Sequence, residues 1–553
     1  MIRIRRDGVC LYPASRPLAP LFVVAAIAAS ASSYAQARPG VHQHVSTAGE
    51  ARAQKELDAA KHYGVPGLYA FLESFPKGAD LHMHLSGAVY AETFIAEAVK
   101  QDLCVVAVDS GDPPAPVGKD AVEFTRPPCA KGSVPAATAL TNQALYDNLV
   151  DSFSMRAFVP VEGIDGHDQF FATFSRYGGL KDVAGEWLDE VATRAAAQNE
   201  QYLEIMQTPT FSNAARLGAQ IGWPAGSEKE VSHETLAALR DKLLAAGLRS
   251  EVAVDAKELA DALAARNAIE RCSTQAASAC RVRIHFLYQV LRGNAPQQVF
   301  AQTLLGFEVA STDPDVVGIN FVQPEDGRIS MQDYHLQMQM LDYLHPVYPQ
   351  VHITLHAGEL APGLIPPDGL RFHIREAVEL GHAERIGHGV DLMYEDDPTG
   401  LLKEMAAKHV DVEINLTSND VILGVKGTAH PVAAYMAAHV PISLSTDDEG
   451  VSRIDLTHEF VRAVEEQGLT YLDLKRAVRN SLEHSFLHGA SLFAHPDDYD
   501  HMRPECNSAD GERSEACRRF LAANEKAMRQ WDLELRLAAF EKGVSAPLRN
   551  AAH

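Results

Sequence analysis

Tryptophan is scarce in this chain, with three residues in 553, and basic side chains are outnumbered, 49 Lys and Arg against 73 Asp and Glu. The formal charge of −24 at pH 7 argues against nucleic-acid phosphates and anionic membranes as partners. Beyond the first forty residues no apolar run is long enough for a bilayer span, so stable membrane insertion is not expected. No C-x-x-C spacing occurs, which weakens a thiolate metal cluster. Repeats and low-complexity tracts are missing as well. Hydrophobic residues make up 46% of the chain and charged ones 22%, which excludes global disorder.

What is present begins with a leader. "MIRIRR" is basic, "LAPLFVVAAIAASA" is apolar, and small residues stand at Ala35 and Ala37. That order predicts a secretory signal cleaved after Ala37, and therefore a periplasmic or secreted protein. A single membrane anchor is the alternative. Cleavage removes four Arg and one Asp and takes the charge from −24 to −27. Of seven cysteines, Cys10 leaves with the leader. The other six fall into local pairs, Cys104/Cys129, Cys272/Cys280 and Cys506/Cys517, which suggests three disulfides while leaving connectivity open.

Residues 38–75 read as an N-terminal helical segment that could pair two chains as a homodimer. From residue 76 to about 545 short β-branched runs alternate with Ala- and Leu-rich stretches of helical period. The runs are 79–85, 201–207, 282–290, 316–322, 352–358, 384–392, 410–419 and 441–448. Eight such units predict an α/β fold, a (β/α)8 barrel; a doubly wound open sheet is the alternative. More than a hundred residues separate the first run from the second, where one helix suffices. Part of this excess, about 100–140, is Pro-rich and bracketed by Cys104 and Cys129. It reads as a disulfide-stapled insertion over the barrel mouth.

Polar residues gather at the ends of these runs: His82 and His84 on the first, His356 with Glu359 on the fifth, His388 on the sixth, Asp447 and Asp448 on the eighth. In a barrel those ends converge on one mouth. His82 and His84, two apart on a strand, face one side. Three His and one Asp form a nitrogen-rich, oxygen-capped set that suits zinc. Glu359, near the metal but not on it, fits a general acid. A helix cap is the plainer reading of Glu359, and a solvated pair that of H-x-H alone.

Five segments, "DLHMHLSGA", "HAGE" (356–359), "GHGVDL" (387–392), "LTSN" (416–419) and "SLSTDD" (443–448), resemble the adenosine deaminase family of zinc aminohydrolases. "NSLEHSF" (480–486) is similar to that family's closing helix, and the likeness covers roughly residues 76–490. The leader, "FPKGADLH" and the insertion look like its secreted, growth-factor-type branch. The resemblance implies one zinc per chain on His82, His84, His356 and Asp447, and a small purine nucleoside as substrate. Glu359 would protonate the purine ring and His388 would orient and deprotonate the attacking water. Asp448 would hydrogen-bond the ring nitrogen beside the reacting carbon. The product would be the 6-oxo compound, inosine from adenosine, with ammonia.

Four positions depart from the family pattern. Ser86 stands where Asp usually reaches the ribose 5′-hydroxyl, Asn320 and Gln323 replace Asp and Gly, and Met206 replaces a common Arg. Ser86, Gln323 and Asp448 are thus the expected substrate contacts, with the sugar and base contacts open. Two other functions are weighed against deamination. A binuclear amidohydrolase acting on amides or esters usually carries a modified Lys on strand four, which has none here. A non-catalytic, growth-factor-like binding protein would show a broken ligand set.

Overall fold

The computed structural model describes residues 47–108, 121–161, 163–274, 277–507 and 514–543. The expected leader, 1–37, lies outside them. Eight strands form the frame: β1 (Gly78–His84), β2 (Glu200–Gln207), β3 (Arg283–Leu291), β4 (Val316–Val322), β5 (His352–Ala357), β6 (Arg385–His388), β7 (Asp411–Ile414) and β8 (Ile442–Leu444). Each pairs in parallel with the next in sequence. The ring closes where Met83 bridges Asp447 and the Asp447 N–H donates to the His82 carbonyl at 2.8 Å. Helices fill the connections, as expected of a (β/α)8 barrel.

The strands are buried on both faces, which explains their continuous apolar runs; β4 is buried from end to end. Beneath the mouth the filling turns ionic. Arg385, fully buried, pairs with Glu204 (2.7 Å) and Glu413 (2.6 Å) and lies 3.9 Å over the Phe486 ring. Met206 sits in this floor with Leu287, Val317, Val322 and Phe486.

Three expected strands prove shorter than their apolar runs. The seventh ends at Ile414, and "LTSN" opens the helix Leu416–Leu423. The sixth stops at His388, whose φ of +70° turns the chain, and Asp447, at φ +58°, lies beyond the end of β8. Asp and His tolerate this left-handed region better than the β-branched residues before them. The residues carrying the polar groups therefore leave the sheet and bend over its end.

Two helices, Ala48–Lys61 and Gly64–Glu73, precede β1. A Thr47–Glu50 capping box starts the first. The Lys77 ammonium ends the second, donating to the carbonyls of Leu72 (2.8 Å) and Gln198 (2.7 Å). Disulfides join Cys104–Cys129, Cys272–Cys280 and Cys506–Cys517. Behind the first, Cys104–Ala107 pairs with Val122–Thr125 and Val134–Pro135 in an antiparallel sheet. No described residue of 100–140 lines the mouth cavity; the helix Gly166–Arg176 does so with Phe170, Phe171 and Phe174. Among the described residues no helix is long and apolar enough to cross a membrane.

Candidate active site

A cavity of about 370 Å³ opens at the C-terminal end of the barrel. Seven of the nine expected site residues line it: His84, Ser86, Gln323, His356, Glu359, Asp447 and Asp448. His82 and His388 are fully buried behind them. One ligand atom from each of His82, His84, His356 and Asp447 lies within 4.8 Å of the others. The His82 and His84 Nε2 atoms are 3.6 and 3.3 Å from Asp447 Oδ1, and His84 Nε2 is 3.2 Å from His356 Nε2.

Each member is fixed from outside. The His82 Nδ1–H donates to Glu413 at 2.6 Å, and Glu413 also accepts from Arg385 Nε (2.6 Å) and the Thr354 hydroxyl (2.9 Å). Burial raises the Glu413 pKa, but Arg385 and His82 outweigh it and hold the carboxyl at about 2. The His356 Nδ1–H donates to Asn320 Oδ1 at 2.8 Å. His84 Nδ1 meets the Gln289 amide at 2.5 Å, and the Ser418 hydroxyl donates to Asp447 Oδ2 at 2.6 Å. Asn419 lies between His388 Nδ1 (2.9 Å) and His430 Nε2 (3.0 Å). With the outer nitrogens occupied, the inner atoms converge. His82 Nε2 and Asp447 Oδ1 are buried without a hydrogen bond to any described residue. Buried polar atoms are rarely left so, and imidazoles held through Nδ1 around one carboxylate fit a metal ion, zinc best by donor type.

The paired acids have separate surroundings. Asp447 turns to the histidines. Asp448 presses against Gly87, where even a methyl group would overlap its carboxylate. Burial, then the charge of Asp447, pushes Asp448 well above the usual carboxylate range. Glu359 is raised in the same way, by burial first and Asp447 second, so it retains a proton. Its Oε1 is 3.6 Å from His388 Nδ1. Burial, helped by the His82 charge, lowers His388 to about 3 and keeps it neutral. A protonated carboxyl beside a neutral imidazole is a matched acid and base.

Among the expected substrate contacts, Ser86 follows His84 on the one-turn helix Leu85–Ala88. Gln323 adopts φ +86°, the left-handed backbone that a Gly takes without cost, and its amide oxygen accepts from the Gly293 N–H at 2.8 Å. Met206, in the floor, does not reach the cavity. Sequence reasoning missed Glu413, Gln289, Ser418, Asn419 and the three phenylalanines. Two acids alternating with apolar residues in "VDVEI", Asp411 and Glu413, were the available signal for Glu413, and the unassigned "LTSN" that for Ser418 and Asn419.

The profile of the adenosine deaminase family matches residues 180–491, over half of the chain. The adenosine deaminase of Clostridium perfringens (strain ATCC 13124) is 36% identical over 135 residues, 24% of this chain and 37% of that protein. The Escherichia coli (strain SE11) enzyme is 37% identical over 137 residues, 25% of this chain and 38% of that protein. The aligned stretch thus spans less than two-fifths of either relative. An adenine deaminase structure from Arthrobacter aurescens superposes with a TM-score of 0.46 at 17% identity, covering 74% of this chain and 94% of the other. With a profile match extending from the helix before β2 past the close of the barrel, the chain belongs to the adenosine deaminase family.

Proposed function

We propose that the protein hydrolyses the exocyclic amine of adenosine, or a close 6-aminopurine nucleoside, to the 6-oxo product and ammonia. The observation that carries this reading is four convergent ligand atoms within 4.8 Å, at the wall of one cavity that a protonated Glu359 and Asp448 also line. His82, His84, His356 and Asp447 would hold one zinc ion, which, when bound, makes water nucleophilic near neutral pH. His388 orients the attacking water and takes its proton. Glu359 delivers a proton to the ring as the attacked carbon loses aromaticity, and Asp448 donates to a second ring nitrogen. The phenylalanines of Gly166–Arg176 shield the reaction from bulk water. No Lys or Arg is among the described residues lining the cavity, which favours nucleosides over nucleotides.

The basic-apolar leader and three disulfides support a periplasmic or secreted location for the mature chain. A second reading has one observation in its favour: Glu359, His388 and Asp447 also offer ligand atoms within 4.8 Å. Two metals there would make a binuclear hydrolase. The test is adenosine absorbance with metal analysis. The proposal expects turnover with one zinc per chain and its loss to a strong chelator. Two metals per chain with ester or amide turnover support the second reading, and an active chelated protein contradicts both.

A further inference from the structure

The turn from His356 to Glu359 carries a metal-facing imidazole and the proton donor, and its shape is imposed from behind. Gly358 adopts φ +76°, with Asp391 and Ile374 where a side chain would go. Its carbonyl accepts from the N–H groups of Val390 (2.8 Å) and Asp391 (3.1 Å). On the other side stands Glu325, 1% exposed and just past the end of β4. One of its oxygens accepts from the Gly358 N–H at 3.1 Å, the other from the Glu359 N–H at 2.8 Å. The first also accepts from His373 Nδ1 at 2.5 Å, while Arg292 Nη1 donates to the His356 carbonyl at 3.2 Å. Burial pushes the Glu325 pKa up, but His373 and Arg292 outweigh it and keep the carboxyl ionised.

Glu325 does not line the cavity. It therefore cannot touch a substrate, and whatever it does passes through the turn. Two adjacent N–H groups need one acceptor oxygen each, which a carboxylate supplies and a carboxamide does not. With an amide in its place, one N–H faces an NH2 group and loses its partner in a buried setting.

We propose that Glu325 is a positioning residue, whose carboxylate clamps the Gly358–Glu359 backbone and so aims the Glu359 carboxyl at the purine ring. The inference rests on the reading of Glu359 as proton donor. The His356 imidazole is held separately, by Asn320 at its Nδ1, so metal holding rests on that bond, whereas proton transfer rests on the clamp, because small misplacements of a reacting group cost about two decades in rate.

The test is a double-mutant cycle on the zinc-loaded protein with adenosine. Glu325→Gln should lower kcat about 10- to 100-fold, with KM within about twofold and zinc content unchanged. In a Glu359→Gln background the same substitution should cause no further loss. An undiminished kcat in the single variant, or an equal loss in both backgrounds, overturns the proposal. If Glu325→Gln does not fold, Glu325→Asp, shorter by one methylene, enters the cycle with the same expectation. Amide exchange at Gly358 and Glu359 reads the clamp without turnover. Faster exchange in the variant supports it and unchanged exchange overturns it, whereas a wild-type protein inert towards adenosine overturns only the proposed function.

Discussion

Ser86 occupies the cavity wall two residues after His84, and on the proposed function it stands where an aspartate would reward a free 5′-hydroxyl and repel other substituents. Serine is shorter and neutral, so it can donate or accept but repels no anion. A charged hydrogen bond is worth roughly 1.5–3 kcal/mol, or about one to two decades in kcat/KM. Weak discrimination at the 5′ position is therefore expected. Ser86→Asp should raise the preference for adenosine over 5′-deoxyadenosine by about tenfold. Asp448, which retains its proton, adds little repulsion against the new charge. An unchanged ratio in an active variant means that Ser86 does not face the sugar. At this scale the chemistry-bearing residues were legible, since a strand-end histidine or acid announces itself locally. Their holders were not: Glu413 meets His82 across 331 positions, a distance no local pattern encodes.

Secondary structure shows a similar division. All eight strands stood out as β-branched runs between helical stretches, but their ends did not. An apolar run continues through "INL" while the backbone has already turned at Asn415 into the helix that presents Ser418 and Asn419. The helix Gly166–Arg176 turns an aromatic stripe, Phe170, Phe171 and Phe174, to the cavity, and Phe170 also packs with Ile422 and Val451. Strands β2 and β3 carry a pH-dependent element of their own. The His285 Nδ1–H donates to the Tyr202 hydroxyl at 3.0 Å, which donates to Glu204 at 2.9 Å, while His285 Nε2 accepts from Arg283 at 2.6 Å. Burial above all, then the charges of Arg283, His488 and Arg529, lowers His285 to about 2. Below its ordinary pKa of about 6.5 the unfolded chain binds a proton that the folded chain refuses, so stability must fall as pH drops through that value. Melting temperatures between pH 7 and 5 should decline less steeply in His285→Gln than in the parent. Equal slopes would show that His285 does not contribute.

In the whole molecule an acidic chain sets Glu359 and Asp448, both raised by burial, at the C-terminal end of a closed barrel, and helices from both ends of the described residues back it. Phe71 and Phe75 meet Phe540, each at 5.4 Å, which joins the helix ahead of β1 to the last helix. That contact spans the chain and has no local signal. The central claim is that this barrel separates metal holding from proton delivery, assigning the first to His82, His84, His356 and Asp447 and the second to Glu359. The most direct measurement is zinc content together with adenosine turnover in Glu359→Gln, which preserves shape and removes the acid. The account predicts about one zinc per chain, as in the parent, with kcat lowered by at least about 100-fold. Loss of the zinc, or turnover near the parent's rate, would contradict it.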